Sequence, residues 1–355
     1  MSLSVGIVGL PNAGKSTLFN ALLGRQQALV AERPFTTIEP NIGVVAVPDK
    51  VLAKLAAIVK PQKTTPAIVK FVDIAGLVKG AHQGEGLGNQ FLAHIRDCDA
   101  ILHLIRTFRN PQVARVKGSD SPKGDREIIE LELVMADLEQ IGQALSRVKK
   151  KARIDLEINK VLSVLEKIKL VLEAGKLAAR ANLNAEELEI IKGYNLLTTK
   201  PVIFVLNTDE TAPSVDLGMV PSKRVLEVCA RLEAELVNLD PDEKKELLFS
   251  AGIKQSALDK LIISSYRLLN LITFYTIKGD KEVKAWSIRQ GATMQEAAKL
   301  VHTDMAKGFI KAETVLVDNL LKTGGWQEAK SKGIVRFESR RSRVKDGDVI
   351  EFIFS

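Results

Sequence analysis

The run Gly9-Leu10-Pro11-Asn12-Ala13-Gly14-Lys15-Ser16 fits G-x-x-x-x-G-K-[ST] at every fixed position, and nothing else in the chain restricts its fold so tightly. Such a loop works only between a strand and a helix. The flanks comply, because Leu3–Val8 reads as a strand and Thr17–Leu23 as a helix. The glycines let the backbone curl until its N–H groups converge on a phosphate. The positive end of the following helix adds to that field. Asn12, Ala13, Gly14, Lys15, Ser16 and Thr17 are therefore the expected nucleotide-binding residues. Lys15 is expected to bridge the β- and γ-phosphates, and so to be catalytic as well, while the Ser16 hydroxyl is expected to ligate Mg²⁺. The chance alternative is an ordinary loop, which the correctly placed strand and helix argue against.

Two further segments arrive in the order such a site requires. Asp73-Ile74-Ala75-Gly76 ends the apolar run Ile68–Val72. Asp73 is expected to hold Mg²⁺ through water, and the Gly76 N–H to sense the γ-phosphate as a catalytic group. Upstream, Pro34-Phe35-Thr36-Thr37 supplies a switch threonine for the metal. Thr37 is the first choice and Thr36 the second, with a plain turn as the alternative.

Around these motifs the chain reads as α/β. Strand-length apolar runs at 3–8, 68–72, 101–105, 202–206 and 224–228 alternate with helix-like sequence, the pattern of a parallel sheet covered on both faces. Between them the period changes. Leu131, Val134, Leu138, Ile141, Leu145 and Val148 form one helical seam, and Ile154, Ile158, Val161, Leu165, Ile168 and Leu172 a second. Two seams joined by a short basic stretch predict a coiled-coil hairpin inserted into the sheet domain. After residue 271 short alternating runs at 284–288 and 335–339, and a Gly347-Asp348 turn, predict a small α+β domain. Thr293 and Glu296 form a capping box there. The division is thus 1–125 with 196–271 for nucleotide binding, 126–195 for the hairpin and 272–355 for the last domain.

The net charge is +8 and the pI about 9.3, which suggests a polyanionic partner. Seven Lys and Arg lie between Lys330 and Lys345 against one acid, Glu338. Arg147, Lys149, Lys150, Lys151 and Arg153 form a second cluster at the hairpin tip, and a solvated surface is the plain alternative for both. Only Cys98 and Cys229 are present, without metal spacing, and no apolar run approaches membrane-spanning length. A cytoplasmic protein without a membrane partner is expected.

Base recognition is where the pattern departs from that of a guanine-specific switch. Such proteins carry Asn-Lys-x-Asp after this strand, whereas Val202–Leu206 leads into Asn207-Thr208-Asp209-Glu210. Glu210 is one methylene longer than the Asp that pairs with guanine, and Thr208 replaces the Lys that packs along the base. Asn207, Thr208, Glu210 and Cys229 are the candidate base-site residues. The altered motif weakens the case for guanine and leaves adenine open.

The chain resembles the YchF or Obg-like ATPases, within the Obg branch of translation-factor-related P-loop proteins. The resemblance rests on residues 9–16, Thr37-Ile38-Glu39-Pro40-Asn41 and the segment from Phe71 to Ala81. It extends through the glycine-rich segment Gly84 to Phe91, His302-Thr303-Asp304, and the segment Lys307 to Glu313. It covers essentially the whole chain. It implies that the last domain is a β-grasp (TGS) domain, that ATP is preferred over GTP, and that the protein associates with the ribosome, while the basic clusters at 330–345 and the hairpin tip are the expected RNA contacts.

A Gln usually follows the Asp-x-x-Gly motif to orient the attacking water, but Leu77 stands there and has no hydrogen-bonding group. His82 and Arg115 are the alternatives weighed for that task, and His103 reads as structural. An Asn at position 12 in related P-loop proteins helps bind K⁺ beside the phosphates, so K⁺ joins Mg²⁺ and ATP (or GTP) among the expected ligands. Two other functions stay open, a GTP-specific switch with the same partner and an RNA-binding adaptor with a regulatory nucleotide site.

Overall fold

The computed structural model describes residues 3–30, 42–74, 87–108, 119–151, 156–209, 215, 217–218, 220–237, 239–250 and 255–355. The chain begins β1 (Ser4–Val8), α1 (Lys15–Val30), β2 (Ile42–Ala46), α2 (Lys50–Val59), β3 (Lys63–Thr65), β4 (Ile68–Asp73) and α3 (Leu87–Asp97). It continues with β5 (Ala100–Arg106), α4 (Pro122–Lys151), α5 (Leu156–Glu173), α6 (Ala185–Lys192), β6 (Val202–Asn207), β7 (Val225–Val228), α7 (Ala230–Val237), α8 (Pro241–Ser250) and α9 (Ala257–Leu268). The remainder is β8 (Leu271–Lys278), β9 (Glu282–Arg289), α10 (Met294–Val301), α11 (Thr303–Lys307), β10 (Phe309–Leu316), α12 (Val317–Thr323), α13 (Trp326–Ser331), β11 (Arg336–Glu338) and β12 (Asp348–Phe354).

Among the described residues these strands make two sheets, ordered β2-β4-β1-β5-β6-β7 and β11-β10-β12-β8-β9-β3. In the first, every pairing from β4 through β7 is parallel. Its middle strand β5 is buried along its whole length, as a parallel strand covered on both faces must be. His103 lies inside β5 with its ring centroid 5.5 Å from that of Phe204. Burial, helped by the charge of Arg126, pushes its pKa down to about 3, so the imidazole stays neutral at physiological pH.

The predicted helical hairpin is α4 and α5. Val134, Ile141 and Leu145 of α4 meet Val164, Leu165, Ile168 and Leu172 of α5 in a common core, which explains the heptad-like spacing. The lower part of α4 is fixed differently. Ile129, Leu133 and Ala136 pack with Phe91, Leu92 and Ile95 of α3. Asp137 is fully buried there. Its carboxylate accepts hydrogen bonds from the Leu197 N–H (3.0 Å), the Thr198 N–H (2.8 Å) and the Thr198 hydroxyl (2.7 Å). A fourth comes from Arg96, at the end of α3, at 3.3 Å. These contacts satisfy a charge that would otherwise be costly to bury.

The chain divides into two compact units, one made of Met1–Gly43 with Lys70–Leu258 and the other of Val44–Val69 with Asp259–Ser355. Residues 44–69 therefore belong to the C-terminal unit, although the sequence division put them with the nucleotide-binding segment. The reason is local and physical. β3 pairs in parallel with β9, and Leu52 and Leu55 of α2 share a core with Tyr275, Val283, Val315 and Leu320. In the same unit Met294, Ala297 and Ala298 of α10 pack against Phe274, Ile350 and Phe352. Thr293 and Glu296 form the predicted capping box of α10.

Candidate functional site

The β1–α1 loop lies beyond the carboxyl end of β1, whose sheet neighbours are β4 on one side and β5 on the other. In open α/β sheets this point, where the strand order diverges, leaves a crevice for ligands. Two positions make the loop's curl. Asn12 has φ 62° and Gly14 φ 95°, both left-handed. A side chain on Gly9 would place its Cβ 2.5 Å from the Leu104 carbonyl oxygen of β5, so only a glycine lets the loop pass so closely.

Lys15 opens α1 and is only 8% exposed. Its Nζ donates to the carbonyls of Gly9 at 3.1 Å and Leu10 at 3.0 Å, so the ammonium caps its own loop. Burial lowers its pKa, and the negative charge of Asp73 works against that shift. Asp73 ends β4 opposite Ile7 of β1. Burial raises its carboxyl pKa, against the pull of Lys15. Ser16 and Thr17 are exposed on the first turn of α1.

These donors suit Mg²⁺. Ser16 and Asp73 offer hard oxygen ligands, and a carboxylate already deprived of water gains most from a cation. Among the described residues no three His, Cys, Asp or Glu gather into a metal cage. Mg²⁺ held together with phosphates needs only one or two protein ligands, so this donor set is sufficient.

Asn207 ends β6 and is 5% exposed. Its side-chain amide donates to the Ala13 carbonyl at 2.9 Å, and its Oδ1 accepts from the Ala230 N–H at 3.1 Å. Its backbone carbonyl accepts from the Thr107 N–H, the Phe108 N–H and the Thr107 hydroxyl at 3.0, 3.1 and 3.0 Å. The residue thus braces the phosphate loop to the ends of β5 and β7. Gly14 packs directly on the Asn207 Nδ2, where any Cβ would overlap it. The Thr208 N–H donates to the Val228 carbonyl at 3.0 Å, and the Cys229 carbonyl accepts from the Glu233 N–H at the start of α7, also at 3.0 Å. Asn12, Ala13, Gly14, Asp73, Asn207, Thr208 and Cys229 lie on loops or strand ends on the carboxyl side of this sheet, and Lys15, Ser16 and Thr17 on the first turn of α1. Thr36, Thr37, Gly76, Leu77, His82, Arg115 and Glu210 lie outside the described residues.

Arg106 was not anticipated. It closes β5, pairs in register with Asn207 and is 5% exposed. The only signal in the sequence is a charged residue ending the apolar run Ala100–Ile105.

A family model described as "50S ribosome-binding GTPase" matches residues 4–160. A second, the YchF-GTPase C-terminal model described as "Protein of unknown function", matches residues 271–355. The "Ribosome-binding ATPase YchF" of Bacillus subtilis is 44% identical over 367 residues, with 100% of both chains covered. That of Haemophilus ducreyi is 45% identical over 364 residues, again with 100% of both covered. Among solved structures, the "Schizosaccharomyces pombe YchF GTPase" superposes with a TM-score of 0.88 at 31% identity, over 99% of this chain and 98% of that one. Similarity of this degree along the full length, over a phosphate loop assembled in this way, shows that the chain belongs to the YchF family of P-loop proteins.

Proposed function

We propose that this chain is a Mg²⁺-dependent nucleoside triphosphatase that prefers ATP to GTP and acts as a switch on the ribosome. The observation that carries the reading is the phosphate loop itself. Lys15 is buried over it, Ser16 and Asp73 offer oxygen ligands beside it, and Asn207 braces it from behind. The bacterial relatives are named ribosome-binding ATPases.

In this reading Lys15 leaves the carbonyls of Gly9 and Leu10 for the β- and γ-phosphates, whose charge favours its protonated form. Ser16 and, through water, Asp73 would hold Mg²⁺, with Thr37 as the switch ligand, and the Gly76 N–H would sense the γ-phosphate. Bound Mg²⁺ supplies charge neutralisation on the phosphate oxygens. Asn207 orients the loop, and the backbone near Thr208 and Cys229 borders the base together with Glu210. Asn12 is the proposed K⁺ ligand. Leu77 offers no group to orient water, so slow basal turnover accelerated by a partner is expected.

The partner is the ribosome, with RNA contacts on basic surfaces, which places the protein's work in the cytoplasm. In the C-terminal unit, which we read as a TGS domain, the fold uses much of the basic run. Lys330 pairs with Glu313 at 2.8 Å, Arg336 with Asp348 at 3.1 Å, and Arg340 donates to the Phe309 carbonyl at 3.0 Å. Arg343 donates to the Gly291 carbonyl. Lys332 and Arg341 are exposed and are the better candidates for phosphate contacts.

Equilibrium binding of non-hydrolysable ATP and GTP analogues with Mg²⁺, side by side on the full chain, tests the core of this reading. Tighter binding of the ATP analogue is expected. Preference for the GTP analogue would make the protein a conventional switch GTPase, the word used for the Schizosaccharomyces pombe relative. Binding of neither would sink the nucleotide reading.

A further inference from the structure

We propose that Arg106 is an electrostatic positioning residue of the phosphate site, poised against Asp125. The inference rests on the nucleotide reading of the loop. Arg106, Ser119 and Asp125 line one pocket with Leu10, Pro11 and Ala13 of the phosphate loop. All three polar side chains are buried, at 5%, 4% and 4% exposure respectively. The guanidinium carbon sits 4.5 Å from the centre of the Phe108 ring, and its Nε donates to the Phe108 carbonyl at 3.5 Å. The Ser119 hydroxyl is hydrogen-bonded to the Asp125 carboxylate in the first turn of α4.

A pocket that merely needed filling would be cheaper to build from apolar side chains, because buried charges lose their hydration. Here a cation and an anion are both kept, against the outer wall of the loop whose inner wall receives phosphate. Both line the pocket with Leu10, Pro11 and Ala13 and are buried, so little water screens their charge. The two therefore act on a bound triphosphate with opposite signs. Arg106 favours it and presents Leu10–Ala13 in the receptive curl. Asp125, in the same pocket, opposes it.

That opposition separates an electrostatic role from a structural one. Binding of a fluorescent non-hydrolysable triphosphate analogue with Mg²⁺ would be measured on the full chain, together with kcat and KM for hydrolysis. Arg106→Gln is expected to weaken binding about tenfold and to raise KM alike, with kcat within about twofold, because bound ground and transition states feel the same distant charge. Arg106→Lys should recover most of the loss. Asp125→Asn should tighten binding by about threefold, since it removes a negative charge and leaves an amide of the same shape. Unchanged affinity in Arg106→Gln would overturn the proposal, and so would equal weakening by Arg106→Gln and Asp125→Asn, the mark of a mere brace. Should Arg106→Gln not fold, the signs found for Arg106→Lys and Asp125→Asn decide in the same way. Failure of the wild-type chain to bind the analogue would instead refute the nucleotide reading.

Discussion

Removing the side chain of Asn207 tests how much of the phosphate site depends on a residue that need not touch the ligand. In Asn207→Ala the Ala13 carbonyl and the Ala230 N–H both lose their partner, from hydrogen bonds of 2.9 and 3.1 Å. Each unmet buried backbone group costs about 1–3 kcal/mol, so a loss of about 2–6 kcal/mol in folding stability is expected. The Ala13 half bears directly on the loop, and about half of that cost should reappear as weaker triphosphate binding, roughly a tenfold to a hundredfold rise in Kd. Asn207→Asp is the sharper probe. It keeps an acceptor for Ala230 but turns an oxygen toward the Ala13 carbonyl and adds negative charge beside the phosphates. It should therefore bind triphosphate more weakly than Asn207→Ala and be less stable as well, because the added charge is buried against a carbonyl. Urea unfolding gives the stability and analogue titration the affinity. Wild-type affinity in Asn207→Ala, or tighter binding by Asn207→Asp than by Asn207→Ala, would refute the brace.

Other expectations follow from packing and titration. Gly14→Ala should abolish triphosphate binding, because its φ of 95° and the Asn207 amide both exclude a Cβ; in an Asn207→Ala background the steric share should vanish and the two losses should not add. Ile168→Ala in the shared core of α4 and α5 should cost about 2–5 kcal/mol while leaving analogue affinity within about twofold, and a large affinity loss would contradict the separateness of that core. Burial raises the Cys98 thiol to about 11 from an ordinary value of 9.0. Its contribution to stability is complete below 9.0 and is lost as pH rises toward 11, because the unfolded chain gives up that proton first. Cys98→Ala should therefore show a shallower alkaline loss than the wild type, and at pH 8 a thiol reagent should modify Cys229 well before Cys98.

The legible parts of this protein were those written contiguously. The phosphate loop is eight consecutive residues with fixed chemistry, and the hairpin is a period that the core shared by α4 and α5 enforces from Val134 onward, whereas Leu131, read as the start of that seam, is exposed. The strands 4–8, 68–73, 100–106, 202–207 and 225–228 fall where apolar runs predicted them. What sequence could not show depends on distant partners. By its motif Asn207 reads as a base-site residue, yet its amide is committed to Ala13 and Ala230, and the Ala13 pairing joins positions 194 residues apart. Arg106 belongs to no motif and becomes conspicuous only once Asp125 and the phosphate loop close around it. The allegiance of residues 44–69 follows from β3 pairing with β9, a contact no local period encodes. The basic run after Lys330 looked like free charge because Asp348, Glu313 and the Phe309 carbonyl are brought to it only by the fold.

Besides its apolar packing on α3 and α5, α4 carries two buried polar attachments that would let it work as a lever. Asp125 sits against the phosphate loop, and Asp137 is fastened to Arg96 at the end of the helix that follows the Asp73 segment. At about 1.5 Å rise per residue, Asp137 lies about 18 Å and Lys151 about 39 Å from Asp125. If Asp125 is the fulcrum, a displacement of about 1 Å at Asp137 becomes about 2 Å at the far end, with the helix itself rigid. The gain in reach is matched by a loss in force, so anything gripping the tip works back on the Arg96–Asp137 contact with a twofold mechanical advantage.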